Sequence, residues 1–378
     1  MKSLFLWSDD WFGSIDEGTG VINSGPFAYT QAKRDAWDLT HNAYGLLRAP
    51  WNNNPQPYIS RHFGWCGKDV GFFMNDAAKW NSTFMQWGVN WPTCEKHFKF
   101  LSTYNTWADM ALMFPYEPHG PVHAIIGGTA NNCGSDLDAL VPTFGAEMVN
   151  SWKAHSFNAV KDLYRRGLRI PATYCDAETP ADDCKASCPT LDIVKESLKS
   201  EGGTCDLESV RAFLEWAVDN SAGQVAYLTK KHTCEELLEL MTAICDATIL
   251  DGDHLEAASP MDPSFWPIHP TIERLWIFKK MSGTFEDESW PGKNNRNCFN
   301  CHCYGHAAED PINFRVQVAM ETGVGMRDAS NTLSNEELYN MADPSFKHLP
   351  YVYDHFDWSH CATEGYDFSE IVSAGPQS

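Results

Sequence analysis

The sequence predicts a mainly α-helical protein with one long loop region, and three observations carry that expectation. Residues 1–75 are rich in Gly, Pro, Asn and Trp, as in "LLRAPWNNNPQPYISRHFGW"; with few helical repeats and many turn formers, they read as an ordered, non-repetitive loop region. Apolar residues then return at intervals of three or four, first in "VGFFMNDAAKW" and next through "TCEKHFKFLSTYNTWADMALMF" (93–114) up to Pro115. Finally, "GAEMVNSWKAHSFNAVKDLYRRGL", "CDLESVRAFLEWAVDN" and "TCEELLELMTAICDATI" are amphipathic at the helical period, joined by turns such as "PATYCDAETPADDCKASCP".

These changes of character divide the chain into 1–128, a helical insert over 129–260, and 261–378. The insert holds six cysteines, Cys175, Cys184, Cys188, Cys205, Cys234 and Cys245, an even number able to pair internally in a connectivity that spacing leaves open. The other seven, Cys66, Cys94, Cys133, Cys298, Cys301, Cys303 and Cys361, form an odd set, so one partner is expected to be missing. After the insert, "DPSFWPIHPTIERLWIFKKM" suits a helix whose Glu273 and Arg274 face solvent while Leu275, Trp276 and Ile277 face a core. The tail, 281–378, is loop-rich and aromatic.

At 378 residues and 43% hydrophobic content the chain is long enough to bury a sizeable core. A formal net charge of −22, with no local basic patch, argues against nucleic acid as a partner. No apolar run reaches the ~18 residues of a membrane span. "MKSLFLWSDDWFG" meets two acidic residues before a signal-peptide core could form, so the chain is either not targeted by this terminus or does not naturally begin here. Thirteen cysteines favour an oxidising compartment, secreted or within an organelle lumen, and the sequon Asn81-Ser82-Thr83 agrees with that setting.

The chemistry centres on "EPHGPVHAIIGG" (117–128). His119 and His123 stand four apart, one turn of a helix, and so can aim two imidazole nitrogens at one metal ion. A third histidine, His269, lies between Pro267 and Pro270 at a helix entrance, where proline fixes the backbone without losing a needed hydrogen bond. Three histidines without cysteine or carboxylate favour copper or zinc. Elsewhere, "CFNCHCYGH" packs Cys298, Cys301, Cys303 and His306 closely enough for a structural zinc site, although in an oxidising compartment such cysteines more often form disulfides.

"HGPVHAIIGG" followed by "DPSFWPIHPTIERLW" resembles the second copper motif of the type 3 copper proteins, the tyrosinases, catechol oxidases and molluscan-type haemocyanins. "GVINSGPFAYTQ" with "LLRAPWNNNPQPYISRHFG" is similar to that family's segment between its two copper motifs, and "YVYD" (351–354) to its Tyr-x-Tyr signature. The resemblance implies that His119, His123 and His269 are the ligands of one copper ion, within a partial tyrosinase-like four-helix bundle. A complete member holds two copper ions and uses dioxygen to oxidise phenols or catechols to o-quinones. Phe265 falls where the family places an aromatic over the substrate pocket, though core packing explains it equally well. Gly120 stands where enzymes acting on monophenols often carry Asn, which implies diphenol oxidation over monophenol hydroxylation.

Two departures matter. The insert stretches the interval between His123 and His269, and Ile268 stands where the family commonly has another histidine. More seriously, the family's first copper site comes from histidines upstream of the Gly-Pro-Phe segment, and here none precedes it. His41, His62 and His97 read as structural, as do His355 and His360. The expectation is therefore half of a dicopper centre, in a C-terminal part of a longer protein or a degenerate relative. An uncovered bundle face would leave the isolated chain poorly stable or dimeric. The alternatives are a haemocyanin-like oxygen carrier and a catalytically incomplete metal-binding relative.

Overall fold

The computed structural model describes residues 5–65, 68–69, 91–130, 135–199, 203–218, 223–290, 307–312, 317–320, 323–326, 333–344, 351 and 353–373. The expected helix in "VGFFMNDAAKW", the sequon, Cys66, Cys133 and the Cys298–His306 cluster lie outside the described residues. The fold is mainly α, as the periodicities predict. In chain order the principal helices are α1 (Cys94–Thr103), α2 (Trp107–Met113), α3 (Gly120–Gly127), α4 (Ala146–Arg165), α5 (Pro189–Lys199), α6 (Leu207–Ala217), α7 (Gln224–Lys231), α8 (Cys234–Cys245), α9 (Phe265–Ser282) and α10 (Asn335–Ala342). Among the described residues the strands form three two-stranded antiparallel ladders: β1 (Gly64–Trp65) with β2 (Lys68–Asp69), β3 (Thr129–Ala130) with β4 (Leu250–Asp251), and β5 (Gln317–Met320) with β6 (Gly323–Met326). Among the described residues no helix is long and apolar enough to cross a membrane.

The chain forms two compact units, Met1–Trp91 with Pro121–Trp266, and Pro92–Gly120 with Pro267–Ser378. In the first unit, helices α4 to α8 build the main core. Their buried residues follow the helical period: Val149, Trp152 and Leu163 on α4, Val210, Phe213 and Leu214 on α6, Leu237, Leu240, Met241 and Ile244 on α8. Capping sets the ends. Thr233 and Glu236 form a reciprocal capping box at the start of α8, and Asp206 accepts from the Ser209 amide at the start of α6. At the other end of α8 the buried Arg169 closes the chain, its Nε donating to the Cys245 carbonyl at 3.1 Å and its Nη2 to that of Ala247 at 2.9 Å. All six insert cysteines pair internally, as Cys175–Cys184, Cys188–Cys245 and Cys205–Cys234.

The described part of 8–63 has no regular helix and is joined by turns and isolated bridges, such as Val21 with Ser60 and Gln31 with Tyr58. Two fully buried ion pairs hold it to the turns after β4. Arg48 grips Asp253 with Nε and Nη2 at 2.7 and 2.9 Å, and Arg61 grips Asp262 through two bonds of 2.7 Å. Arg48 also donates to the carbonyls of Asn54, Gln56 and Tyr58, so its remaining protons are spent on loop backbone.

In the second unit two expectations change. The 93–114 stretch is not one helix: α1 ends at Thr103 and α2 opens on Thr106, whose hydroxyl accepts from the Asp109 amide. The break is stabilised by the buried Lys279, whose Nζ donates to the Leu101 carbonyl at 2.6 Å and to Asn105 Oδ1 at 3.2 Å. Nor is α9 two-faced along its length. Leu275, Trp276, Ile277, Phe278 and Lys279 are buried in succession, because Trp107, Tyr339, Phe356, Trp358 and Phe368 pack around them. Cys94, on α1, bonds Cys361 in the short helix Ser359–Thr363, so two members of the odd set pair with each other.

Candidate metal centre

Each of the three candidate ligands is placed by local structure. His119 immediately precedes α3, and His123 follows it by one turn on that unbroken helix. The chain can enter α3 this way only with glycine at 120, since a Cβ there would lie 2.2 Å from the Pro115 carbonyl oxygen. The same contact means that an asparagine could not stand at Gly120 without moving backbone. At the far end of α3, Gly127 and Gly252 pack backbone to backbone: a Cβ on Gly252 would lie 2.1 Å from the Gly127 oxygen, and one on Gly127 2.5 Å from the Leu255 amide nitrogen.

Within the second unit the structure brings His119 and His269 together. Their rings meet edge to face with centroids 4.4 Å apart at 80°, and a ring nitrogen of each lies within 4.8 Å of the other's. His269 sits in the second turn of α9, because that helix begins at Phe265 rather than at the prolines. Four residues beyond it, Glu273 accepts hydrogen bonds from the hydroxyls of Tyr351 and, at 2.9 Å, Tyr353. Burial, then the Glu273 carboxylate, raises both phenols above their ordinary value, so both remain protonated donors.

Within the first unit, His123 Nδ1 lies 2.6 Å from the carbonyl oxygen of His254. That contact assigns the proton to Nδ1 and leaves Nε2 with the lone pair a metal requires. Phe265 stands edge-on to His123 at 6.1 Å and to His254 at 6.4 Å, half-buried. Sequence reasoning missed His254. Its ring is wholly buried, tilted at 32° to that of His123 with centroids 4.6 Å apart, and its Nδ1 lies 3.2 Å from the Ser264 hydroxyl. It acts on His123 through a backbone carbonyl, which any residue carries, and it lies in a short turn with no periodicity; no local signal marks it.

Beneath it, Asp262 is desolvated, which by itself would raise its pKa. The hydrogen bonds from Arg61 and His254 overcome that and hold the carboxyl well below its usual range. Its Oδ1 also accepts from the amide and hydroxyl of Ser264, which in turn meets His254. An ion pair thus anchors the turn that presents the His254 carbonyl to His123.

The five histidines read as structural are engaged elsewhere. His41 Nδ1 meets the Leu39 carbonyl, and His97 Nδ1 the Thr93 carbonyl at 2.9 Å. Burial lowers the His62 pKa to about 4, and its amide donates to the Gly127 carbonyl. His355 faces Arg274, and His360 lies beside Cys361. Among the described residues no second group of three histidines is gathered. In the second unit the half-buried His119 and His269 form a donor pair that fits an imidazole-liking ion; in the first unit the tautomer of the half-buried His123 is fixed by the His254 carbonyl.

Comparison of this chain with protein-family models, with curated proteins and with solved structures finds no match.

Proposed function

We propose that this chain is a copper oxidoreductase of the tyrosinase and catechol oxidase type, with His119, His123 and His269 as the three ligands of one copper ion. The close approach of His119 and His269, from segments far apart in sequence, is the observation that carries the reading. His123 joins them by helical spacing, with its Nδ1 proton already held by the His254 carbonyl. When bound, copper supplies electron exchange with dioxygen and with a phenolic substrate. The protein's own residues orient and shape: Phe265 offers an apolar ring beside His123 against which a phenol can lie, and Gly120 adds no polar side chain next to His119. Catechols are therefore the favoured substrates, and o-quinones the products. Four disulfides among the described residues support an oxidising compartment.

The test is copper content and catechol oxidation, measured on the copper-loaded chain and on its His123→Ala and His269→Ala variants. Loss of one copper per chain in each variant, together with loss of o-quinone formation, supports the reading; unchanged copper content in both overturns it. A second reading is a mononuclear relative without oxidase activity, since His41, His97, His355 and His360 are each engaged elsewhere. One copper per chain, lost on either substitution but with no quinone formed, selects that reading.

A further inference from the structure

The second unit contains another set of metal-liking atoms, away from the histidine centre. Cys94 Sγ, Cys361 Sγ and a ring nitrogen of His360 all lie within 4.8 Å of one another, with His360 Nε2 3.4 Å from Cys361 Sγ. The two sulfurs are joined as a disulfide, with Cα atoms 5.3 Å apart, and in that form they offer an ion no thiolate. We propose that reduction of the Cys94–Cys361 bond converts this disulfide into a zinc site, with two thiolates and the His360 imidazole as ligands.

Geometry supports the conversion. Zinc bonds of about 2.3 Å to sulfur and about 2.0 Å to nitrogen, at tetrahedral angles, place sulfur and nitrogen roughly 3.6 Å apart and two sulfurs roughly 3.8 Å apart. The His360–Cys361 separation, 3.4 Å, is close to that value. Reduction frees the two sulfurs to part toward theirs, from Cα atoms 5.3 Å apart. The fourth position opens onto a cavity of about 520 Å³, lined by Cys94, Cys361 and His360 and also by His97 and Arg274. His97 stands one turn from Cys94 on α1. Its Nδ1 is bonded to the Thr93 carbonyl at 2.9 Å, which directs its other ring nitrogen away from that bond. Arg274 adds a guanidinium to the wall, which favours thiolate over thiol.

The chemistry balances. A dithiol reductant delivers two electrons and two protons to the Cys94–Cys361 bond and becomes a cyclic disulfide. Zinc then displaces the two thiol protons to water as it binds both sulfurs. Because zinc binds only the dithiol state, its presence draws the pair toward reduction, so the site couples metal supply to the covalent link between α1 and the helix Ser359–Thr363.

The experiment uses the full chain with Cys298, Cys301 and Cys303 replaced by serine, which removes the competing C-x-x-C cluster. After anaerobic reduction, cobalt(II) serves as the spectroscopic probe and zinc as its competitor. One cobalt per chain with thiolate charge-transfer absorption, displaced by zinc, is expected. The Cys94→Ser/Cys361→Ser double variant should abolish the absorption, and His360→Ala should weaken binding at least tenfold. Absorption that is absent, or unchanged in both variants, overturns the proposal. Thiol alkylation in dithiol redox buffers provides a readout independent of spectroscopy and of any folding defect in the cysteine variants, because His360 is exposed. Zinc should shift the Cys94–Cys361 pair toward the dithiol by at least tenfold in wild type and by less in His360→Ala; equal shifts in the two also overturn it.

Discussion

The helical segment 137–245 and the loop region 8–63 belong to the same compact unit but are held together by different physics. The helices bury an apolar cluster of Trp152, Phe213, Leu240 and their neighbours, and their backbone bonds are satisfied within each helix. The loop region buries a smaller apolar cluster around Ile22, Leu46 and Ile59, and with it a polar set of Asn42, Arg48, Asn52, Asn54, Ser60 and Arg61. Without a repeating ladder, its carbonyls and amides need side-chain partners, and these residues supply them. Asn42 Nδ2 donates to the carbonyls of Asn52 and Asn54, and Asn52 Oδ1 accepts from the amides of Asn54 and Asp251. Apolar packing tolerates substitutions by degree, whereas a buried polar network fails when one member is withdrawn.

The sharpest way to break the contrast is Asp253→Ala. It leaves the Arg48 guanidinium buried and unpaired and removes the acceptor of the Ser60 amide, so a loss of ~3–5 kcal/mol is expected in urea unfolding. In the helical segment, Phe213→Ala should cost a similar ~3–5 kcal/mol through cavity formation. The distinction lies in the rescue: Phe213→Leu should restore most of that stability, whereas Asp253→Asn should recover little, since the charge stays unpaired.

Acid gives the next largest difference. His62 is half-buried with its Nε2 enclosed, and desolvation lowers its pKa from 6.5 to about 4, which keeps the ring neutral. The unfolded chain therefore takes up the proton first, so this contribution is full above pH 6.5 and is lost as pH falls from 6.5 toward 4, by about 3 kcal/mol in all. Unfolding free energies of wild type and His62→Gln, measured across that window, should converge as the pH drops. Parallel curves would remove His62 as the cause. The smallest effect is expected at the helical end, where Thr233→Ala breaks the capping box of α8 for about 1 kcal/mol, measured in the same assay.

The candidate centre divides along similar lines. The spacing of His119 and His123 was legible because four residues make one helical turn, and the prolines around His269 marked a helix entrance. His254 was not legible, because it reaches His123 by a carbonyl whose position depends on the Arg61–Asp262 pair, two residues remote in sequence. The need for glycine at 120 rests on a carbonyl five residues earlier in a turn that no propensity describes. The split between α1 and α2 was hidden as well, since apolar spacing runs through it and the residue that stabilises the break, Lys279, lies far along the chain.

The sequence by itself determined the helical class, the loop character of 8–63 and the evenness of the insert's cysteines, because periodicity, turn formers and counts are local properties. Tertiary structure alone decided which cysteines bond, which carboxylates face the two buried arginines, where α9 is enclosed on every side, and what holds the His123 tautomer. Those outcomes depend on distances between residues far apart in the chain, and burial makes each of them energetically large.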